Sequence, residues 1–267
     1  MTAVLLAEPP PAEDAPPPDA APTQRLDYFE TARTPLAGLL FVLPMLVAYE
    51  AGIHVAGPTA VVTRNAADTW MRLRLLEAGC LRPWALPAML LGTLIAWEAA
   101  RQAKRQPRAS VNGRLMVGML TESVFAAWTL VLLGQAVGMV MRLGGLLSLS
   151  GMANGPADWA AACLGAGLYE ETLFRLWGLP ATYLGFRLFL VPRGIAAVLA
   201  VLVSSLAFAA AHYIGGGWEN APAEWFGFVF RFVAGLAFAG LLLTRGFGVA
   251  VGTHVIYDVT VLLLSVA

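Results

Sequence analysis

The chain has 267 residues, 58% of them hydrophobic and 13% charged, with a mean hydropathy of +0.70 and a formal net charge of zero. A soluble domain carries about 25% charged residues, so this composition excludes an ordinary soluble globular protein, and the lack of a basic excess excludes nucleic-acid binding. The length leaves room for roughly six to eight membrane-crossing helices. The alternating strands of about ten residues that build a transmembrane barrel are absent.

Residues 1–24, with Pro9-Pro10-Pro11, Pro16-Pro17-Pro18 and four acidic residues, are expected to form a disordered tail. They lack the basic start and apolar core of a secretory leader. Residues 25–267 are expected to form one transmembrane domain. Its apolar runs lie near 36–56, 83–100, 115–141, 157–184, 194–214, 223–243 and 247–266. Between the first two, the 57–82 linker mixes Arg64, Arg72, Arg74 and Arg82 with Trp70, Leu73, Leu75 and Leu76. That pattern predicts an amphipathic helix lying in the membrane interface near 65–80. A substrate gate is the alternative reading. The expected fold class is therefore all-α, a polytopic transmembrane helical bundle of about seven spans.

Basic residues set the expected orientation. With the N-terminus inside, ten of them fall in inner loops and five outside, four of the five in the 57–82 linker. Lys104 is the only lysine. Abundant Arg, Ala, Gly and Pro suggest a high-GC bacterial source, and hence a multi-pass protein of a bacterial inner membrane with a cytoplasmic N-terminus. Cys80 and Cys163 read as small buried thiols rather than a disulfide or metal pair.

Charges at membrane depth cost roughly 2.5–3.5 kcal/mol each, yet the fourth run contains Glu170, Glu171 and Arg175. At 100° per residue, Glu171 and Arg175 are neighbours that can pair, while Glu170 points about a quarter turn away. Two later runs carry Phe208 with His212, and His254 with Asp258, each four residues apart. Two of the three histidines and a pair of adjacent carboxylates imply a shared polar cavity. Glu50, Glu98 and Glu122 take blander readings. The last two sit near span ends, and Glu50 either pairs with an arginine or lines the cavity.

Glu170-Glu171-x-x-x-Arg175, then Phe208-x-x-x-His212, then His254-x-x-x-Asp258, on successive apolar helices over about 157–260, resembles the CPBP family. This family comprises CAAX-type prenyl endopeptidases and bacteriocin-processing or immunity proteins. The resemblance implies an intramembrane glutamic or metallo-endopeptidase, with Glu170 as general base assisted by His212. Glu171 and Arg175 would be a supporting pair, and His254 with Asp258 would stabilise the oxyanion. The commoner pattern has Asn where this chain has Asp258. An ionised Asp cannot donate, so Asp258 is expected to hold His254 in its donating tautomer.

No cofactor is expected, because Arg175 would repel a nearby cation. The alternative is Zn²⁺ held by Glu170, His212 and His254. The expected partners are the lipid bilayer and a membrane-anchored protein or peptide substrate. A non-catalytic immunity or scaffold protein of the same fold is the second functional reading, and a proton-coupled transporter the third. One geometric difficulty stands. His212 lies about 18 residues into its run and His254 about 7, an offset of roughly 16 Å if both helices point the same way. Strong stagger, shifted boundaries or an incomplete crossing between 215 and 245 would remove it.

Overall fold

The computed structural model describes residues 26–56, 64–141, 156–214 and 221–266. The expected disordered tail, residues 57–63 of the linker and the Gly215-Gly216-Gly217 run lie outside them. Among the described residues there are nine helices and no strand, an all-α bundle as composition required.

Local chemistry sets several helix starts. Helix α1 (Tyr28–Ala32) opens on a capping box, in which Glu30 N–H donates to Asp27 Oδ1 at 2.7 Å and Asp27 N–H to Glu30 Oε2 at 3.2 Å. Helix α2 (Pro35–Ala56) begins on a proline, whose missing N–H is not needed there. The interfacial helix is present as α3 (Ala66–Glu77), capped by Asn65, which accepts from Ala67 N–H at 2.8 Å. Helices α4 (Ala85–Ala103) and α5 (Gly113–Val140) follow, the latter capped by Asn112.

Helix α6, residues 156–188, carries the Glu-Glu stretch and changes its winding on the way. It is α-helical over Pro156–Gly165, π-helical over Ala166–Glu170 and Thr172–Gly178, and α-helical again over Leu179–Leu188. The 100° periodicity assumed for Glu170 to Arg175 therefore does not hold: the backbone hydrogen bonds run i→i+5 and each turn is wider, although Glu171 and Arg175, four apart, still meet. Thr172 Oγ1 donates to Leu168 O at 2.6 Å within this stretch, so a side chain enters the backbone ladder.

Helices α7 (Arg193–Ala211), α8 (Ala221–Arg245) and α9 (Phe247–Val266) complete the bundle. A single residue, Gly246, separates the last two. At φ +93° its N–H reaches Leu241 O and Leu242 O at 3.0 and 3.1 Å, closing α8 with a left-handed residue.

Seven long helices thus occupy the seven apolar runs. Five of them (α2, α5, α7, α8 and α9) are long and apolar enough to cross a membrane by length and composition. Their outer faces expose large apolar side chains, such as Phe125 and Leu132 on α5, Val198 on α7 and Leu263 on α9. So much contiguous apolar surface suits lipid rather than water. Helix α9 is the most buried of the five and packs against α2, α5, α6 and α8. Since α8 is unbroken between α7 and α9, the expected offset in depth is removed by stagger. His212 caps the end of α7, while His254 sits early in α9.

Candidate active site

The motif residues of three helices meet below α3. Glu170 Oε2 lies 3.8 Å from His212 Nε2 and 3.8 Å from His254 Nε2. That oxygen is buried and has no hydrogen-bond partner. Glu171 is fully buried, accepts from His254 Nδ1–H at 2.8 Å and lies 3.4 Å from Arg175 Nε. Asp258 Oδ2 stands 3.7 Å from His254 Nε2.

These distances correct one expectation. Asp258 is too far from His254 to hydrogen-bond it, and the nitrogen it faces is Nε2. The bond that orients the ring comes from Nδ1 to Glu171, a residue expected to serve Arg175 alone. Glu171 is shared between Arg175 and His254. Asp258 contributes negative charge near the imidazole rather than a hydrogen bond.

Backbone and packing fix the imidazoles. His212 Nδ1 is 2.9 Å from Phe208 O, and a carbonyl can only accept, so Nδ1 carries the proton and neutral His212 presents a lone pair at Nε2. Its side chain is 28% exposed against 6% for His254, so His212 marks the open side of the cluster. The His254 ring stacks on Phe238 of α8, centroids 4.5 Å apart at 15°. Arg175, fully buried, places its guanidinium 4.1 Å from the Phe208 ring and donates to Gly235 O at 3.3 Å. Phe208 also meets the His212 ring edge-on at 5.0 Å, so this aromatic of the second motif holds both a cation and an imidazole in place.

Close backbone approach brings α6 to α9. A methyl group at Gly167 would lie 3.0 Å from both Val251 O and Val255 N, and would overlap the Val255 side chain. Without it, the helix carrying Glu171 reaches the one carrying His254.

Helix α3 closes the other side. Asn65 Nδ2 donates to Glu170 Oε1 at 2.9 Å. Further along, the fully buried Asp68 accepts from Tyr49 Oη and Arg64 Nη1, both at 2.7 Å, and from Arg72 Nε at 2.5 Å. Arg72 also donates to Glu50 at 2.7 Å, and Glu50 accepts from Tyr169 Oη at 2.5 Å. Burial works against the charge on Arg72, but the Asp68 and Glu50 carboxylates outweigh it and hold the guanidinium above its ordinary range. Glu50 therefore pairs with an arginine, one of its two expected readings. Glu122 and Glu98 are likewise paired, with Arg245 at 3.3 Å and Arg101 at 3.0 Å.

All six motif residues, Glu170, Glu171, Arg175, His212, His254 and Asp258, thus gather in one cluster. Asn65 and Phe238 were not anticipated. Asn65 reads in the sequence only as a helix cap, and Phe238 is one of several phenylalanines on an apolar helix. For a metal, the candidate donors are Glu170, His212 and His254. Among the described residues no group of three or more His, Cys, Asp or Glu side chains is arranged to hold an ion, since a zinc site needs its donors within about 2.0–2.2 Å of one point.

A bundle of long apolar helices thus holds a glutamate and two histidines in one buried cluster. Residues 152–260 match the family model described as Rce1-like, type II CAAX prenyl endopeptidase Rce1-like. The match covers all six motif residues, and this segment is similar to the CAAX intramembrane proteases. No curated protein and no solved structure matches the chain.

Proposed function

We propose that this chain is an endopeptidase that hydrolyses a peptide bond in a membrane-anchored protein or peptide, with water activated by Glu170 and His212. The observation that carries the reading is the buried, unpartnered Glu170 Oε2, equidistant from two imidazole nitrogens. A separation of 3.8 Å is too long for a direct hydrogen bond, which leaves Oε2 free to take a proton from a water that enters between it and the imidazoles.

In the proposed reaction a water donates one proton to Glu170 Oε2 and is oriented by the lone pair of His212 Nε2. Its oxygen adds to the scissile carbonyl carbon, forming a tetrahedral oxyanion. His254 carries its Nδ1 proton toward Glu171, so donation from Nε2 requires the imidazolium. Glu171 at 2.8 Å and Asp258 at 3.7 Å supply the negative charge that favours it. The imidazolium Nε2–H then donates to the oxyanion, a contact worth roughly 3–4 kcal/mol. As the C–N bond breaks, Glu170 returns its proton to the departing amine.

No metal takes part in this scheme. The nearby Arg175 and the spacing of the three donors support that choice, and Zn²⁺ on Glu170, His212 and His254 is the alternative. The likeness to CAAX prenyl endopeptidases supports cleavage of a membrane-anchored protein or peptide, and the arginine-rich composition favours a bacterial sorting or leader segment over a prenylated CAAX one. We place the chain in a bacterial inner membrane with its N-terminus cytoplasmic.

The test uses the full chain in proteoliposomes with a set of lipid-anchored, quenched-fluorescence peptides, a prenylated CAAX peptide among them. Wild type should cut at least one and Glu170→Gln none. Wild-type rates from the variant would remove Glu170 as base, and a wild-type chain that cuts no peptide of the set counts against the peptidase reading. Dialysis against a zinc chelator should leave the rate unchanged; loss of activity restored by Zn²⁺ would establish the metal alternative.

A further inference from the structure

Among the described residues, a hydrogen bond to the cluster's Glu170 comes from outside the three motifs, from a helix more than a hundred residues away in sequence. Asn65 sits at the start of α3 with both ends of its amide engaged. Oδ1 accepts from Ala67 N–H at 2.8 Å, and Nδ2 donates to Glu170 Oε1 at 2.9 Å. The backbone N–H can only donate and so selects Oδ1. The –NH₂ end is thereby left facing the carboxylate, and rotating the amide by half a turn would lose both bonds.

The two carboxylate oxygens of Glu170 consequently differ. Oε1 is held by Asn65, while Oε2 has no partner and faces His212 and His254. We propose that Asn65 is a positioning residue for Glu170, fixing Oε1 so that Oε2 is the oxygen that takes the proton from water. The inference rests on the reading of Glu170 as the base.

Two observations separate this role from simple anchoring of α3. Asp68, with its bonds to Tyr49, Arg64 and Arg72, already ties α3 to the bundle without Asn65. The bundle also makes room for Asn65 where α6 needs none for itself. A methyl group at Gly165 would come 3.0 Å from Asn65 Cβ and 2.6 Å from the Tyr49 ring. Gly165 precedes Glu170 by about one turn of α6. The missing side chain thus opens the seat from which Asn65 reaches Glu170.

Asn, Asp and Ser are nearly equal as N-caps, which makes a clean experiment. Asn65→Ser and Asn65→Asp both keep the cap. Ser is too short to reach Glu170, and Asp replaces the donor with a second carboxylate. Both variants, wild type and Glu170→Gln are reconstituted as full chains and compared on the peptide that wild type cuts. In parallel, the carboxylic-acid C=O band that is lost in Glu170→Gln is followed by infrared spectroscopy at low pH.

If Asn65 positions Glu170, Asn65→Ser lowers kcat by about 10–100-fold with KM little changed, and the band moves to higher frequency as its hydrogen bond is lost. Asn65→Asp loses more. A cap alone predicts wild-type rates and an unmoved band in both, which overturns the proposal. A moved band with an unchanged rate overturns it too. If Glu170→Gln is inactive while both Asn65 variants are active, only this inference fails; an active Glu170→Gln removes the assignment of the base along with it.

Discussion

The Asp68 cluster offers the most quantitative test of how α3 is held. Asp68→Ala removes a fully buried acceptor of three bonds, from Tyr49 Oη, Arg64 Nη1 and Arg72 Nε. Tyr49 is fully buried as well, so its hydroxyl is left without an acceptor, at a cost of about 1–3 kcal/mol. The arginines lose less. Their side chains are 19% and 18% exposed, and Arg72 keeps Glu50 at 2.7 Å, so each contributes about 0.5–1 kcal/mol. The expected loss is about 2–5 kcal/mol, or a fall in melting temperature of roughly 5–20 °C. Because α3 is a short helix bound chiefly through this cluster, the loss should show first as faster proteolytic nicking of residues 57–82. Asp68→Asn, which keeps an acceptor but gives up the charge, should fall between. The assay is thermal unfolding in detergent micelles alongside limited proteolysis. An Asp68→Ala chain that melts within about 2 °C of wild type and is nicked no faster would refute the cluster as the anchor of α3.

Gly167→Ala should force α6 off α9 because the atoms it meets at 3.0 Å are backbone; overpacking of about 1–3 kcal/mol and a fall in peptidase rate of about 10–100-fold are expected. Gly185→Ala, with nothing within 4 Å, is the control and should be neutral or slightly stabilising. Equal behaviour of the two would deny that the α6–α9 approach sets the Glu171–His254 contact. Phe238→Leu keeps most of the volume but removes the ring stacked on His254, worth about 0.5–1.5 kcal/mol. The rate should drop about 2- to 10-fold while the melting curve changes little, and an unchanged rate would mean the stacking has no part in placing the imidazole.

Much of this was readable from residue order alone, because hydrophobic runs of about 20 residues have few structural solutions in a bilayer. All seven runs became helices. Glu170, Glu171, Arg175, His212, His254 and Asp258 converge because charged groups in so apolar a chain have little alternative to one another. What stayed hidden depends on three-dimensional detail. Asn65 is 105 residues from Glu170, and nothing in its neighbourhood distinguishes a cap that also donates from one that does not. The sharing of Glu171 between Arg175 and His254 escaped because sequence spacing favours the i,i+4 partner over one 83 residues away. The stagger of α7 against α9 depends on how α8 packs between them, which run lengths do not encode.

The winding of α6 has a consequence for how this protein tolerates changes in length. An α-helix turns about 100° per residue, so deleting one residue from an ordinary span rotates everything beyond it by about that angle. In the Ala166–Gly178 stretch each wide turn holds about one residue more than an α-turn would. Removing one there would let the chain relax into the tighter winding while Leu179–Leu188 keeps its depth and its lipid-facing side. What would change is the stretch itself. Glu170, Glu171 and Arg175 would be re-spaced against one another and against Phe208. Length variation among homologous chains should therefore be tolerated in the loops flanking α6 and be rare between Ala166 and Gly178, where a single missing codon leaves the span in place and takes the cluster apart.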